Sequence, residues 1–125
     1  PLHGGGKAEK SYMHAIDLSE AIYLVIKRGK DGEIYNIGPD TPTSIKEVVE
    51  RVVEKMGVDF KDVVEISEDR LGQDSKYWLD CTKAKNELGW SMSVNWDQGL
   101  DEVKNWAIKY KDFLIKKNFS YIMRG

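Results

Sequence analysis

Glycine and proline punctuate this chain so often that no element in it can run far. Gly29, Gly32, the Gly38-Pro39-Asp40-Thr41-Pro42 turn, Gly57, Gly72 and Gly89 break it at short intervals. Glycine takes up turn conformations closed to other residues, and proline offers no N–H to a helix or ladder. What fits between the breaks is a set of short elements of mixed type, with no internal repeat and no low-complexity tract.

Hydrophobic spacing and capping residues sort those elements. Ser44 with Glu47 forms a capping-box pattern, and Ile45, Val48, Val49, Val52, Val53 and Met56 then repeat at helical spacing until Gly57, the clearest helix in the sequence. A second helix is expected from a cap at Asp17 or Ser19 to Gly29, with Leu18, Ala21, Ile22, Val25 and Ile26 on one face. A short one is expected over Thr82–Leu88, stopped at Gly89, and a long one from Trp96 to about Lys117 that turns Leu100, Val103, Trp106, Ala107, Tyr110, Phe113 and Leu114 inward. Strands are expected at Lys10–Ile16, Ile34–Ile37, Val63–Ile66 and Tyr77–Cys81, with Ser67–Ser75 as a polar connecting loop. Trp90 and Trp96 are expected to pack beneath the last helix. The reading is an α+β unit with little sheet of its own.

Composition narrows the function. In 125 residues, 19 Lys+Arg face 21 Asp+Glu, so no global positive field draws the chain onto nucleic acid or anionic lipid. The lysine-rich end (Lys104, Lys109, Lys111, Lys116, Lys117 and Arg124 against Asp112) reads as a solvated helix face whose charge suits the helix dipole. The longest apolar run, Ala21 to Ile26, falls far short of the roughly 20 residues that cross a bilayer. Cys81 is the one cysteine, in keeping with a reducing, cytoplasmic setting, and Asp80 beside it disfavours a reactive thiolate. The opening Pro1-Leu2-His3-Gly4-Gly5-Gly6 reads as the inside of a loop in a longer protein.

The ready-made chemical motifs are missing. No G-x-G-x-x-G, P-loop, H-E-x-x-H, G-x-S-x-G or C-x-x-C pattern occurs. Gly4-Gly5-Gly6 follows no apolar strand and opens no helix, so it reads as a flexible loop and not as a phosphate cradle. His3 and His14 have no third ligand at a metal-binding spacing. Asp17, Asn36 and Asp80 are read as structural residues.

Four ordered stretches carry a specific resemblance. Glu68-Asp69-Arg70-Leu71-Gly72-Gln73-Asp74 precedes Tyr77-Trp78-Leu79-Asp80 and then Thr82-Lys83-Ala84-Lys85-Asn86-Glu87-Leu88-Gly89-Trp90; upstream lie Ser11-Tyr12-Met13-His14-Ala15-Ile16-Asp17-Leu18 and Gly32-Glu33-Ile34-Tyr35-Asn36-Ile37-Gly38. Together they resemble the C-terminal part of the extended short-chain dehydrogenase/reductases, the NAD-dependent nucleotide-sugar epimerases and dehydratases, and most of all proteins similar to nucleotide-diphosphate-glucose 4,6-dehydratases. The resemblance covers residues 1 to about 110. Leu71 and Gln73 depart from the proline and histidine common in those relatives, and Lys10 stands where they carry arginine.

The resemblance implies a small substrate-binding lobe over residues 1–117, with 118–125 a tail, attached in a longer parent to an N-terminal Rossmann domain that supplies NAD binding and a Tyr-x-x-x-Lys catalytic pair. The resemblance places that pair in the Rossmann domain; the one tyrosine of this chain with a lysine four residues on is Tyr23, before Lys27. The function implied is therefore to bind a nucleotide-diphosphate sugar. Arg70 matches the arginine that grips the diphosphate, a task suited to a guanidinium fork. Asp74 matches an acidic residue placed to accept from a ribose hydroxyl or to orient Arg70, and Lys10 keeps a charge but not the fork. No catalytic, cofactor-binding or metal-binding residue is expected here, and the parent is expected to be a homodimer. Two other readings stand beside this one: a stand-alone binding module, and a subunit that pairs with a separate Rossmann chain. A lobe without its partner domain should expose apolar surface and self-associate.

Overall fold

The computed structural model of the chain describes residues 1–69, 72 and 74–117. Its elements run β1 (Leu2–His3), a 3₁₀ turn (Gly4–Gly6), β2 (Glu9–Lys10), α1 (Ala15–Arg28), β3 (Thr43–Ser44), α2 (Ile45–Met56), α3 (Phe60–Val63), β4 (Ile66–Ser67), α4 (Thr82–Leu88), α5 (Trp96–Lys109) and α6 (Lys111–Ile115). The mixed α+β class read from the sequence holds, and the sheet is indeed scant. Among the described residues β1 pairs with β4 in parallel, Leu2 opposite Ile66, and β2 pairs with β3 antiparallel, Lys10 opposite Thr43.

The helix starts show how side chains decide boundaries. Ser44 Oγ accepts from the Glu47 N–H at 3.1 Å and opens α2 where the capping pattern puts it. The α1 helix starts earlier than its sequence suggests. His14 caps it, Nδ1 accepting from the Ile16 N–H at 3.3 Å, so the expected strand stops at Lys10 and neither Asp17 nor Ser19 is the cap. Asp17 lies inside the first turn and points into the core.

Other expectations fail because short apolar runs do not separate strand from helix. Ile34–Ile37 and Tyr77–Cys81 form no regular strand, and Val63 ends the short helix α3 while the strand begins only at Ile66. The long C-terminal helix divides at Tyr110, whose backbone (φ −105°, ψ 16°) leaves helical geometry.

The core is small. Ala21 of α1, Cys81, Ala84 and Leu88 of α4, and Trp90 form one buried cluster, with Met13, Leu24, Val25, Tyr35, Ile37 and Leu79 packed on it. Trp90 thus sits between α1 and α4 and not under the last helix; its Nε1–H donates to the Asp17 carbonyl at 3.0 Å. Trp96 begins α5, its ring 6.1 Å from that of Tyr12 and beneath the Arg51 guanidinium. Asn36 and Asp80 are structural, as read: the Asn36 amide donates to the Asp80 carbonyl at 3.3 Å, and Asp80 Oδ1 accepts from the Thr82 N–H at 2.9 Å at the head of α4. No helix among the described residues is long and apolar enough to cross a membrane.

Candidate functional site

The short strand β2 organises one edge of the molecule. Beyond its antiparallel partner β3, Glu9 bonds on its other side to the segment after the polar loop: its N–H donates to the Ser75 carbonyl at 2.8 Å and its carbonyl accepts from the Tyr77 N–H at 2.9 Å. The Glu9 carboxylate reinforces this with Lys76 Nζ at 2.9 Å. That pairing brings residues some 65 positions apart into register. Lys10 Nζ donates to the Asp74 carbonyl at 3.2 Å, and the same ammonium stands 6.0 Å from the Tyr77 ring centre.

A cavity of about 370 Å³ opens beside this junction, lined by the chain start Pro1–Gly4, Lys7, Ala8, Ile45, Asp69, Asp74 and Ser75. Of the three residues singled out from the sequence, Asp74 lines this cavity and Lys10 is hydrogen-bonded to it. They meet through Asp74's backbone carbonyl. Arg70, the third, lies outside the described residues, between Asp69 and Gly72.

The walls contain residues that sequence reasoning passed over. His3 Nδ1 lies 2.9 Å from Ser67 Oγ and 3.2 Å from the Glu68 carbonyl, tying the chain start to the entry of the 68–74 loop. Gly4 to Gly6 is an ordered turn and not a flexible loop. All three glycines hold positive φ, and a Cβ on Gly4 would fall 2.6 Å from Asp69 Cγ. Only a residue without a side chain lets the Asp69 carboxyl lie against the backbone there. The signal was present in three adjacent glycines, but nothing local says that residue 69 is what they accommodate.

The turn does not fit a dinucleotide. It leads into the extended Glu9–Lys10, where a pyrophosphate loop would lead into a helix N-terminus. A second, more apolar cavity of about 250 Å³ lies between Tyr12, His14, Trp96 and Leu100, and it presents few groups able to hold a charged ligand. Among the described residues no cluster of three or more His, Cys, Asp or Glu side chains is placed to hold a metal ion. Cys81 is buried, and burial above all pushes its thiol up, with Asp80 and Asp40 acting the same way against Lys85.

This mixed order of short strands and capped helices matches solved structures of NAD-binding epimerases and dehydratases with a Rossmann-type fold. The structure of a dTDP-glucose 4,6-dehydratase from Bacillus anthracis in complex with NAD superposes with a TM-score of 0.81 at 34% identity, over 90% of this chain and 35% of that one. A UDP-glucose 4-epimerase from Bifidobacterium longum in complex with NAD+ and UDP gives 0.73 at 27% identity, over 85% and 32%. The chain belongs to the GDP-mannose 4,6 dehydratase family, whose profile matches residues 1–103, and so to the extended short-chain dehydrogenase/reductases. Among curated relatives, a dTDP-glucose 4,6-dehydratase from Streptomyces niveus is 37% identical over 112 residues, 90% of this chain and 32% of that protein. The chain therefore spans about a third of the length of these relatives.

Proposed function

We propose that residues 1–117 are the nucleotide-diphosphate-sugar-binding lobe of an NAD-dependent 4,6-dehydratase or 4-epimerase, a lyase or isomerase of carbohydrate biosynthesis. The observation that carries this reading is the hydrogen bond of Lys10 to Asp74, a residue that lines the 370 Å³ cavity. Lys10 and Arg70 would supply the positive charge for the diphosphate. The Asp74 carboxylate would accept from a ribose hydroxyl. Related structures in complex with NAD, and with NAD+ and UDP, support a nucleotide ligand for the parent.

Such a lobe contributes positioning. A grip on the diphosphate, remote from the reacting carbons, supplies binding energy that holds the hexose in place for hydride and proton transfer by a Rossmann domain. NAD belongs to that domain in this reading, as does assembly of the parent into a homodimer. A buried, unpaired Cys81 is in keeping with a cytoplasmic, reducing compartment.

Titration calorimetry of uridine and thymidine diphosphate sugars into the chain at low salt tests the reading. Millimolar or tighter binding is expected, weakened at least about tenfold in Arg70→Ala and less in Lys10→Ala, since a fork to the diphosphate is worth more than a point charge. Binding that neither substitution changes would overturn the assignment of these residues.

A further inference from the structure

His14 joins two helices through the two nitrogens of one ring. On α1 its Nδ1 accepts from the Ile16 N–H at 3.3 Å and closes the first turn, while its Nε2 lies 3.4 Å from Glu102 Oε2 of α5. The side chain is 18% exposed. It rests against the α5 backbone: a Cβ on Gly99 would fall 3.3 Å from His14 Cδ2, closer than ordinary contact.

The cap fixes where the ring carries its proton. A nitrogen that accepts must present a lone pair, so neutral His14 holds its hydrogen on Nε2, facing the Glu102 carboxylate. A second proton has to go to Nδ1. That converts the acceptor into a donor, which cannot accept from the Ile16 N–H whatever the surrounding field. The charges around the ring decide what gives way. Asp17 on α1 and Glu102 on α5 both favour the charged ring. Among the residues lining the cavity beside it Tyr12 is the one other titratable group, and α2 and the segment before α5 present Val48, Met92 and Val94. The positive end of the α1 dipole opposes the charge. The two carboxylates therefore keep the ring in place, and the helix end is what loosens.

We propose that His14 is a proton-operated cap: neutral, it closes the first turn of α1; charged, it releases that turn while Glu102 keeps the ring against α5. This junction is separate from the cavity edge at Lys10 and Asp74, so the switch does not depend on what that cavity binds.

NMR of the 125-residue chain from about pH 8 to about pH 5 tests it, an interval in which a histidine gains its proton while ordinary carboxylates stay mostly charged. Ring-nitrogen shifts at the upper end should report the Nε2–H form of His14. As the ring takes up its proton, the Ile16 amide resonance should move in step. Protection of the Ile16 and Leu18 amides, corrected for intrinsic exchange, should fall about fivefold, the usual worth of a cap. His14→Asn, a cap that does not titrate, should hold both readouts constant across the interval. A neutral ring protonated on Nδ1, an Ile16 amide indifferent to the titration, or the same pH response in His14→Asn overturns the proposal.

Discussion

Asp17 Oδ1 accepts two hydrogen bonds from Ser93, one from its N–H at 2.8 Å and one from its hydroxyl at 2.7 Å. Oδ2 takes a third from the Val94 N–H at 3.3 Å. A fully buried carboxylate in the first turn of α1 thus holds the segment that leads into α5, and its own carbonyl anchors Trp90. Burial by itself would raise this carboxyl. The bonds from Ser93 and Val94, with His14 nearby, outweigh it and hold Asp17 below its usual range.

Removing this node should cost heavily. Asp17→Ala leaves three donors without their acceptor and should lower stability by about 3 kcal/mol, measured by urea unfolding at pH 7. Because the folded-state value is depressed, the stabilisation is complete above the ordinary carboxylate range and is lost as pH falls through the folded value. Wild-type stability should therefore fall on acidification below that range, and Asp17→Asn should show a flatter acid limb. An unchanged limb would mean that the node stays intact when protonated.

Cys81 should be slow to react. With burial as the main cause, its thiol stays protonated at neutral pH, so a disulfide reagent should modify it slowly in the native chain and rapidly in denaturant. Fast native labelling would show that this part of the core opens.

Two glycines in one turn separate strain from collision. Gly5 and Gly6 hold φ of 67° and 68°, but a Cβ on Gly5 meets nothing within 4 Å while one on Gly6 would lie 2.7 Å from Lys46 N. Gly5→Ala should cost about 1 kcal/mol from backbone strain alone. Gly6→Ala should cost about 2–3 kcal/mol, because α2 must also shift. Equal losses on thermal unfolding would contradict this packing of the turn against α2.

Local signals were legible where the determinant is local. The α2 helix follows from Ser44, Glu47 and an unbroken apolar period, and α4 from Thr82 and Gly89. The start of α1 was not legible, since a histidine ring acting as the cap leaves no ordinary cap signal. The strands were over-read because each is two residues long and exists only through partners far along the chain, as Leu2 does opposite Ile66. Lys10 and Asp74 could be singled out by resemblance, but the roles of His3, Gly4 and Asp69 depend on contacts across some 65 positions. The α5 stripe shows the reverse case: its period is plain in sequence, yet among the described residues Val103, Trp106 and Phe113 stay more than half exposed.

Lys10, Arg70 and Asp74 are proposed to bind a nucleoside diphosphate. The most direct measurement is a backbone amide titration by NMR with UDP, compared with inorganic phosphate. Saturable shifts centred on Gly4, Lys7, Lys10, Asp69, Gly72 and Ser75 are expected, larger with UDP than with phosphate. Shifts centred instead on the apolar cavity at Tyr12 and Trp96, or no shifts in a well-folded chain, would contradict it.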